Sequence, residues 1–152
     1  MTDTAPHVIG TGYAHQIPHI QLLDMRVLRA DREAAIMLLP WRDELVGNPE
    51  TGVMHGGAVT TLIDSVGGLA VLARMDKPGP IATLDLRIDY LKPATPGEDL
   101  IARATIFRMS RQIAFTRIAA WHEHEHDPVA AAQATFMLKG SGGGLAADRP
   151  AS

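Results

Sequence analysis

The chain has 152 residues, of which 46% are apolar, a length and composition typical of one globular domain with a substantial core. Its formal net charge of -3 excludes an overall basic field of the kind that binds nucleic acid or an anionic membrane surface. It contains no cysteine, which excludes disulfides, thiolate metal ligands and a cysteine nucleophile and fits a reducing compartment, so we expect a cytoplasmic protein.

Both ends of the chain are predicted to lie outside the domain. Residues 1–12 are polar and contain proline and glycine, and residues 140–152 are rich in glycine and alanine, so we expect mobile segments. Residues 13–139 form the predicted domain. No basic region followed by an apolar stretch opens the sequence, and no apolar run approaches about 18 residues, so neither a signal peptide nor a membrane span is expected.

The first predicted elements are a short helix and a hairpin. Apolar residues at helical spacing predict an amphipathic helix over Tyr13–Leu23. Two apolar-rich runs, Met25–Ala30 and Ala34–Leu39, are separated by a polar break and predict two paired strands. Residues 40–54 are dense in glycine and proline, which predicts a long loop of the kind that is often functional.

The second half of the domain reads as one helix followed by four strands. Apolar residues of Ala58–Met75 cover most of the helix circumference, the pattern of a helix buried on nearly all sides. Leu84–Tyr90 alternates apolar and charged residues, as a half-buried strand does. Leu100–Met109, Ile113–Trp121 and Val129–Leu138 are three further strands with short connections.

This element order predicts an α+β fold. Short connections favour antiparallel neighbours, and a single helix that is apolar all round needs a curved sheet to wrap it. An antiparallel sheet folded around one long central helix is the hotdog fold, which we therefore expect here.

The segment most informative about chemistry is His55-Gly56-Gly57, followed by Asp64. If a helix begins near Gly57, its first amides lack intrahelical acceptors and the helix dipole is positive there. Glycines let a ligand oxygen approach these amides closely, which suits a carbonyl that becomes an oxyanion. Removing one oxyanion-hole donor costs about 3 kcal/mol of transition-state stabilisation in enzymes that use one.

Asp64 lies too far from the helix start to act on the same carbonyl within one chain. It follows Gly57 by seven residues, about 10 Å along a helix axis. The geometry closes only if Asp64 faces the helix start of a second subunit, which predicts a homodimer with interface active sites. A carboxylate in so apolar a helix is costly unless it meets water, a partner or a substrate, so we assign it as base or nucleophile.

These residues resemble the phenylacetate-degradation type (PaaI-like) of acyl-CoA thioesterases in the hotdog-fold 4-hydroxybenzoyl-CoA thioesterase superfamily. The resemblance runs from about residue 21 to residue 139. It rests on the HGG-x6-D pattern of His55 to Asp64, on the upstream Asn48, and on the strand TLDLRIDYLKPA at 83–94. It implies acyl-CoA as substrate, no cofactor and no metal, and a homodimer or a dimer of dimers.

The resemblance also implies a role for each matching residue. Asp64 is the general base or nucleophile, and Gly56 donates its amide to the thioester carbonyl, with Gly57 beside it in the substrate-binding turn. Asn48 and His55 position the thioester, and a hydroxyl residue matching Thr83 lies beside the attacking group. Asn48 departs from the family pattern, because it precedes His55 by seven residues where six are expected.

Several of these residues have a structural alternative. His55 could be a helix N-cap, Asn48 an Asn-Pro turn residue and Thr83 an ordinary strand residue. Gly67 and Gly68, in the middle of the helix, predict a close contact there, either between helix and sheet or with the acyl pocket.

Two further groups of residues are candidate sites. His122, His124 and His126 would share one face of a strand, as a metal site needs, but the run ends in Asp-Pro and favours a solvated hairpin tip. Arg108 and Arg111 flank a predicted turn and could meet the phosphates of CoA, although surface arginines are common. We expect substrate binding at Arg111.

Hydrolysis of an acyl-CoA thioester to free acid and CoA is the function that the sequence favours. Asp64 would either activate water or attack the carbonyl to form an anhydride, and the sequence leaves both routes open. One alternative is a non-catalytic acyl-CoA sensor on the same fold. The other is a hydroxyacyl thioester dehydratase that uses His55 and Asp64 for proton transfer. The acyl group, aromatic or aliphatic, is also left open.

Overall fold

The computed structural model describes residues 12–139 as one antiparallel sheet packed on a long helix. The helices and strands are α1 (Pro18–Leu22), β1 (Arg26–Ala30), β2 (Ala35–Leu39), β3 (Val46–Asn48), β4 (Val53–Met54), α2 (Gly56–Arg74), β5 (Ile81–Tyr90), β6 (Leu100–Met109), β7 (Ile113–Trp121) and β8 (Ala130–Leu138). The six-stranded sheet has the order β1-β2-β6-β7-β8-β5. This is the expected hotdog fold. The predicted mobile segments, 1–12 and 140–152, lie outside the described residues except for Gly12, which is helical.

Helix α2 is the core of the domain, as its apolar circumference predicts. The exposed fraction of its side chains is zero at Leu62, Ile63, Val66 and Leu69, since the sheet covers them. Within residues 12–139, α2 is the one helix long and apolar enough to cross a membrane, but 61% of its most apolar window is buried inside the fold, as in the core helix of a globular domain.

The glycines of α2 lie where helix and sheet meet. A Cβ on Gly67 would stand 3.0 Å from the Phe136 ring and 3.1 Å from the Ile118 side chain, both on strands of the sheet. A Cβ on Gly68 would stand 3.2 Å from the Tyr13 hydroxyl. The helix-to-sheet interpretation is therefore confirmed for Gly67, and Gly68 makes room for a residue of the N-terminal helical turn.

The early part of the chain is more broken than predicted. Residues 12–16 are helical, including Gly12, but Ile17 is extended with φ of -106°, and α1 begins after it. Pro18 explains the break, because a proline disfavours helical backbone in the residue before it. The predicted long loop at 40–54 also holds a short 3-10 helix and the two-stranded ribbon β3–β4. The β1–β2 hairpin forms as predicted.

Strand β5 lies at an edge of the sheet and not beside β6. It pairs with β8, and the connection 91–99 carries the chain across to the far side of β7 before β6 begins. Nine residues suffice for this crossing. The prediction that a short connection joins neighbouring strands is therefore wrong for β5 and β6. The predicted half-burial holds only in part: Leu86 and Ile88 are half-buried, but Leu84 and Tyr90 are each 53% exposed.

Candidate active site

The start of α2 presents one amide with no acceptor in the described part of the chain. Gly57 N–H donates to the Nδ1 atom of His55 at 2.8 Å, and Ala58 N–H donates to the His55 carbonyl at 2.9 Å. Gly56 N–H has no partner among residues 12–139. Because the first amides of a helix carry its partial positive charge, Gly56 offers a donor suited to a carbonyl oxygen.

His55 is the N-cap of α2, so that structural interpretation of the residue is confirmed. Its Nδ1 accepts a hydrogen bond, which places the proton of the neutral ring on Nε2, and the side chain is exposed. The Gly57 amide is consequently occupied by this cap, and a role for Gly57 in substrate binding stays a prediction. A Cβ on Gly57 would stand 2.8 Å from His55 Nδ1, so glycine here makes room for the cap.

The carbonyl of Gly56 is held by two hydroxyl groups. Tyr90 on β5 donates to it at 2.9 Å, Thr60 donates to it at 2.9 Å, and the two hydroxyl oxygens lie 2.8 Å apart. Sequence reasoning missed Tyr90, since its ring simply continues the alternation of the strand and nothing in the pattern marks the hydroxyl. These bonds fix the Gly56–Gly57 peptide, which adjoins the peptide that carries the Gly56 N–H.

Asp64 lies in the middle of α2, half-buried, and faces β5. Its Oδ1 atom accepts a hydrogen bond from the Thr83 hydroxyl at 2.8 Å, which is the proximity that the resemblance implies. On another side stands Tyr13, whose hydroxyl donates to the Ser65 carbonyl at 3.1 Å. Burial raises the pKa of Tyr13 above its ordinary value of 10.0, and the negative charge of Asp64 raises it further. Tyr13 therefore stays neutral beside the carboxylate.

The Gly56 amide and the Asp64 carboxylate do not meet within one chain. Asp64 follows Gly56 by eight residues, about 12 Å along the helix axis. A cavity of about 470 Å³ adjoins Gly56, and Asp64 is not among its lining residues. Its walls are mostly apolar and include Val53, Met54, Val59, Tyr90 and Leu91. We call Gly56, His55 and Tyr90 the amide half-site, and Asp64 with Thr83 the acid half-site.

Asn48 is a turn residue, as the structural interpretation of the Asn-Pro pair expects. Its Oδ1 accepts a hydrogen bond from Glu50 N–H at 3.0 Å, and its carbonyl accepts from Thr51 and Gly52. The Nδ2 group of Asn48 would therefore make any contact with a thioester. A role for Asn48 in positioning the substrate stays a prediction.

The histidine run connects β7 and β8, so the strand arrangement that a metal site would need is not formed. His122 Nε2 accepts from Thr95 N–H and its Nδ1 donates to the Asp99 carbonyl, both at 2.8 Å, which fixes the turn before β6. His124 and His126 stack at 5.2 Å. Residues 12–139 contain no group of three His, Cys, Asp or Glu side chains placed to hold a metal ion.

Arg111 lies in the turn between β6 and β7, and Arg108 lies within β6. Arg111 lines a second cavity together with Arg74, the last residue of α2. This cavity is therefore at the opposite end of the helix from Gly56, on the far side of Asp64.

Comparisons with known proteins show which family the sequence and fold resemble. The family model of the thioesterase superfamily matches residues 51–129, which include Asp64 and Thr83. The medium/long-chain acyl-CoA thioesterase YigI of Escherichia coli is 27% identical over 149 residues, covering 90% of this chain and 95% of that protein. A crystal structure of a Pseudomonas aeruginosa protein is 34% identical with a TM-score of 0.79, over 87% of this chain and 98% of that one.

A solved mutant of the phenylacetic acid degradation protein PaaI from Thermus thermophilus is 29% identical with a TM-score of 0.70, over 80% of this chain and 98% of that one. The family match spans more than half of the chain, and the likeness to the Pseudomonas protein covers nearly all of it. The chain thus belongs to the thioesterase superfamily, as a hotdog-fold enzyme of the acyl-CoA thioesterase kind.

Proposed function

We propose that the protein hydrolyses acyl-CoA thioesters at sites formed by the amide half-site of one protomer and the acid half-site of another. The proposal rests on the distance between the amide half-site and the acid half-site within one chain. Each half-site is built and hydrogen-bonded, yet about 12 Å of helix lies between Gly56 and Asp64 in one chain. A second protomer supplies the missing half to each.

The edge strand β5 is the surface that such a dimer would use. Its outer side lacks a neighbouring strand among residues 12–139, and it is ten residues long. Leu84 and Tyr90 on this strand expose 53% and 53% of their surfaces, and Leu91, which directly follows it, exposes 55%. Long apolar edges pair readily with other strands, so a second β5 running antiparallel would cover this one.

Both half-sites are attached to β5, and this fixes how two copies must meet. Thr83 holds Asp64 near one end of the strand, and Tyr90 holds Gly56 at the other, about 23 Å away in an extended strand. A two-fold axis near the middle of β5, at Leu86–Arg87, brings Thr83 level with the partner's Tyr90. The acid of one protomer then approaches the free amide of the other.

The chemistry follows from the atoms so assembled. The Gly56 amide donates to the thioester oxygen and stabilises the negative charge that develops on it. The Thr83 hydroxyl occupies Oδ1 of Asp64, which leaves Oδ2 to take a proton from water or to attack the carbonyl carbon. The carbon–sulfur bond then breaks and the CoA thiolate leaves, taking up a proton. When water attacks, this step gives the free acid directly; on the anhydride route, water then hydrolyses the acyl-aspartyl anhydride to the free acid and restores Asp64. Oxygen-18 incorporation into Asp64 during a single turnover distinguishes the anhydride route from water activation.

Substitution of Asp64 tests the proposal. We expect Asp64→Asn to fold normally and to lose at least about 100-fold in kcat on saturated acyl-CoA esters, because the group that activates or performs the attack is gone. Phenylacetyl-, benzoyl- and aliphatic acyl-CoA esters should be compared, since the acyl group is open. Glu123→Gln, at an exposed carboxylate in the β7–β8 connection, is the matched control. Unchanged turnover in Asp64→Asn would contradict the mechanism.

Mixing two inactive variants tests whether the site is shared. Gly56→Val should be inactive, because its side chain would crowd the Tyr90 hydroxyl, which lies 3.3 Å from a Cβ at this position. Refolded together with Asp64→Asn, half of the dimers combine one chain of each kind, and each of those has one intact site. Activity should therefore return to about a quarter of the wild-type value. No recovery would contradict sites shared between protomers.

The alternatives make different predictions for the same assays. A dehydratase would not act on saturated acyl-CoA, and a sensor would bind it without turnover.

We further propose a cytoplasmic enzyme, since the absence of cysteine fits a reducing compartment. If two dimers associate, we propose that they meet at the surface around Phe107. This side chain is 50% exposed, and the Arg117 guanidinium lies 5.0 Å from the centre of its ring.

A further inference from the structure

A basic cavity of about 500 Å³ lies at the C-terminal end of α2. Five cationic side chains contribute to its lining: Arg32, Arg74, Lys77, Arg111 and Lys139. The chain as a whole has 14 lysines and arginines and a net charge of -3, so a third of its cations meet at one opening of an acidic protein. Such a concentration raises the local potential well above that of the rest of the surface.

The cavity contains little negative charge to balance these cations. Among the lining residues that the structure describes, Asp76 is the one carboxylate, and it pairs with Arg32 at 2.5 Å. Arg74 donates to the Arg32 carbonyl at 2.8 Å, which joins the helix end to the β1–β2 turn. Lys77, Arg111 and Lys139 form no ion pair with any residue of the described chain. Three cations are therefore available to an anionic ligand.

The cations come from separate elements, so their meeting is a property of the fold. Arg111 is at the tip of the β6–β7 turn, where the Ser110 hydroxyl accepts from Ile113 N–H at 3.1 Å. Lys139 follows β8, whose last residue Leu138 donates its N–H to Gln112 at 2.7 Å. Cations in the last turn of a helix offset its dipole, which accounts for Arg74. It does not account for Arg111, which lies in the β6–β7 turn, or for Lys139, which directly follows β8.

The distance between Asp64 and the basic cavity is close to the length of the pantetheine arm of CoA. Arg74 follows Asp64 by ten residues, about 15 Å along the helix. The pantetheine arm of CoA contains two amide units and has about the length of four extended residues, roughly 14 Å. A thioester held at Asp64 would therefore bring its phosphate groups to the basic cavity, on the side of the helix away from Gly56 of the same chain.

We infer that the basic cavity binds the diphosphate and 3′-phosphate of CoA, an inference that rests on the proposed thioesterase function. Arg111 and Lys77 pair with the phosphate oxygens, and Lys139 adds a third charge at the rim. Met75, Met109 and Leu138 also line the cavity and offer an apolar wall to the adenine ring. Arg111 thus acts on the part of the substrate remote from the reacting bond.

The test compares two esters of the same acid. The CoA ester carries the phosphates, and the N-acetylcysteamine ester has the same thioester without them. In the double variant Arg111→Gln/Lys77→Gln we expect KM for the CoA ester to rise at least about tenfold, with kcat within about twofold, because two charge-assisted contacts are lost. The kcat/KM of the N-acetylcysteamine ester should not change. Arg26→Gln, at an exposed arginine of β1 outside the cavity, is the matched control.

Direct binding separates failure of this inference from failure of the proposed function. Calorimetry should show CoA binding to Asp64→Asn, weakened about tenfold or more when the two cavity variants are added. Salt should weaken binding to the single variant more than to the triple variant. An active enzyme whose KM for the CoA ester is unchanged in the double variant would overturn the inference alone. If neither ester is hydrolysed, the proposed function fails, and the calorimetry still decides whether the cavity binds CoA.

Discussion

The Tyr90 hydroxyl is expected to position the amide half-site, and Tyr90→Phe tests this. The substitution removes the hydrogen bond to the Gly56 carbonyl at 2.9 Å and the 2.8 Å contact with the Thr60 hydroxyl, while the Thr60 bond to the same carbonyl remains. One net hydrogen bond of this kind contributes about 1 kcal/mol, so the free energy of unfolding should fall by about that amount. The Gly56–Gly57 peptide, which adjoins the peptide of the Gly56 N–H, also loses one of its two hydroxyl donors.

The expected kinetic effect is a fraction of the cost of deleting an oxyanion-hole donor. Deletion of such a donor costs about 3 kcal/mol of transition-state stabilisation. A misplaced Gly56 amide should lose about a third of that stabilisation, which lowers kcat about fivefold. KM should change little. Steady-state hydrolysis of a saturated acyl-CoA ester, with thermal unfolding of the same samples, measures both effects.

Thr116→Val is the matched control, because it removes a buried hydroxyl that donates to the Ala134 carbonyl at 3.2 Å, outside both half-sites. It should lower the unfolding temperature and leave kcat unchanged. If Tyr90→Phe behaves in the same way, the hydroxyl is only structural and the reasoning is refuted.

Three further predictions concern packing, acid stability and assembly. Gly67→Val should lower the free energy of unfolding by about 1–3 kcal/mol in chemical denaturation, because a Cβ here already stands 3.0 Å from Phe136; equal stability would show that the sheet yields. Burial raises the pKa of Asp31, but hydrogen bonds from Arg29 and from the Ala34 and Glu33 amides outweigh it and hold the pKa below the ordinary 3.8. The ionised Asp31 therefore stabilises the fold above about pH 4, and this contribution is lost as pH falls through the lower value, so Asp31→Asn should flatten the acid limb of a stability profile from pH 6 to pH 2. Leu84→Glu should shift the protein to monomer in sedimentation and abolish activity, because like charges would face each other across the β5 edge; an active monomer would contradict the shared site.

Much of this fold follows from short-range patterns. Strands β6 and β7 occupy the predicted residues because polar breaks bound each apolar run and no breaker lies inside. Helix α2 was expected from its apolar circumference, and its start at Gly56, two residues before the predicted start, follows from the His55 cap. The contact between Asp64 and Thr83 was expected from the resemblance alone, since nineteen residues separate the two in sequence.

The rest depends on long-range packing that local patterns do not encode. The position of β5 beside β8 is decided by how the 91–99 connection crosses the sheet, and its length permits either neighbour. The occupied amide of Gly57 results from the rotamer of His55, which spacing does not reveal. Tyr90 carries two interactions on one side chain, an apolar ring in a strand and a hydroxyl on a helix, and only the first is visible in the sequence.

The attachment of both half-sites to one strand limits how the enzyme can change. In the proposed dimer each reaction centre lies between the Thr83 end of one β5 strand and the Tyr90 end of the partner's β5 strand. A substitution at either end of this strand therefore changes both reaction centres of the dimer at once. Variation in the acyl group accepted is more easily gained from the walls contributed by β4 and the 91–99 connection, which touch the amide side alone.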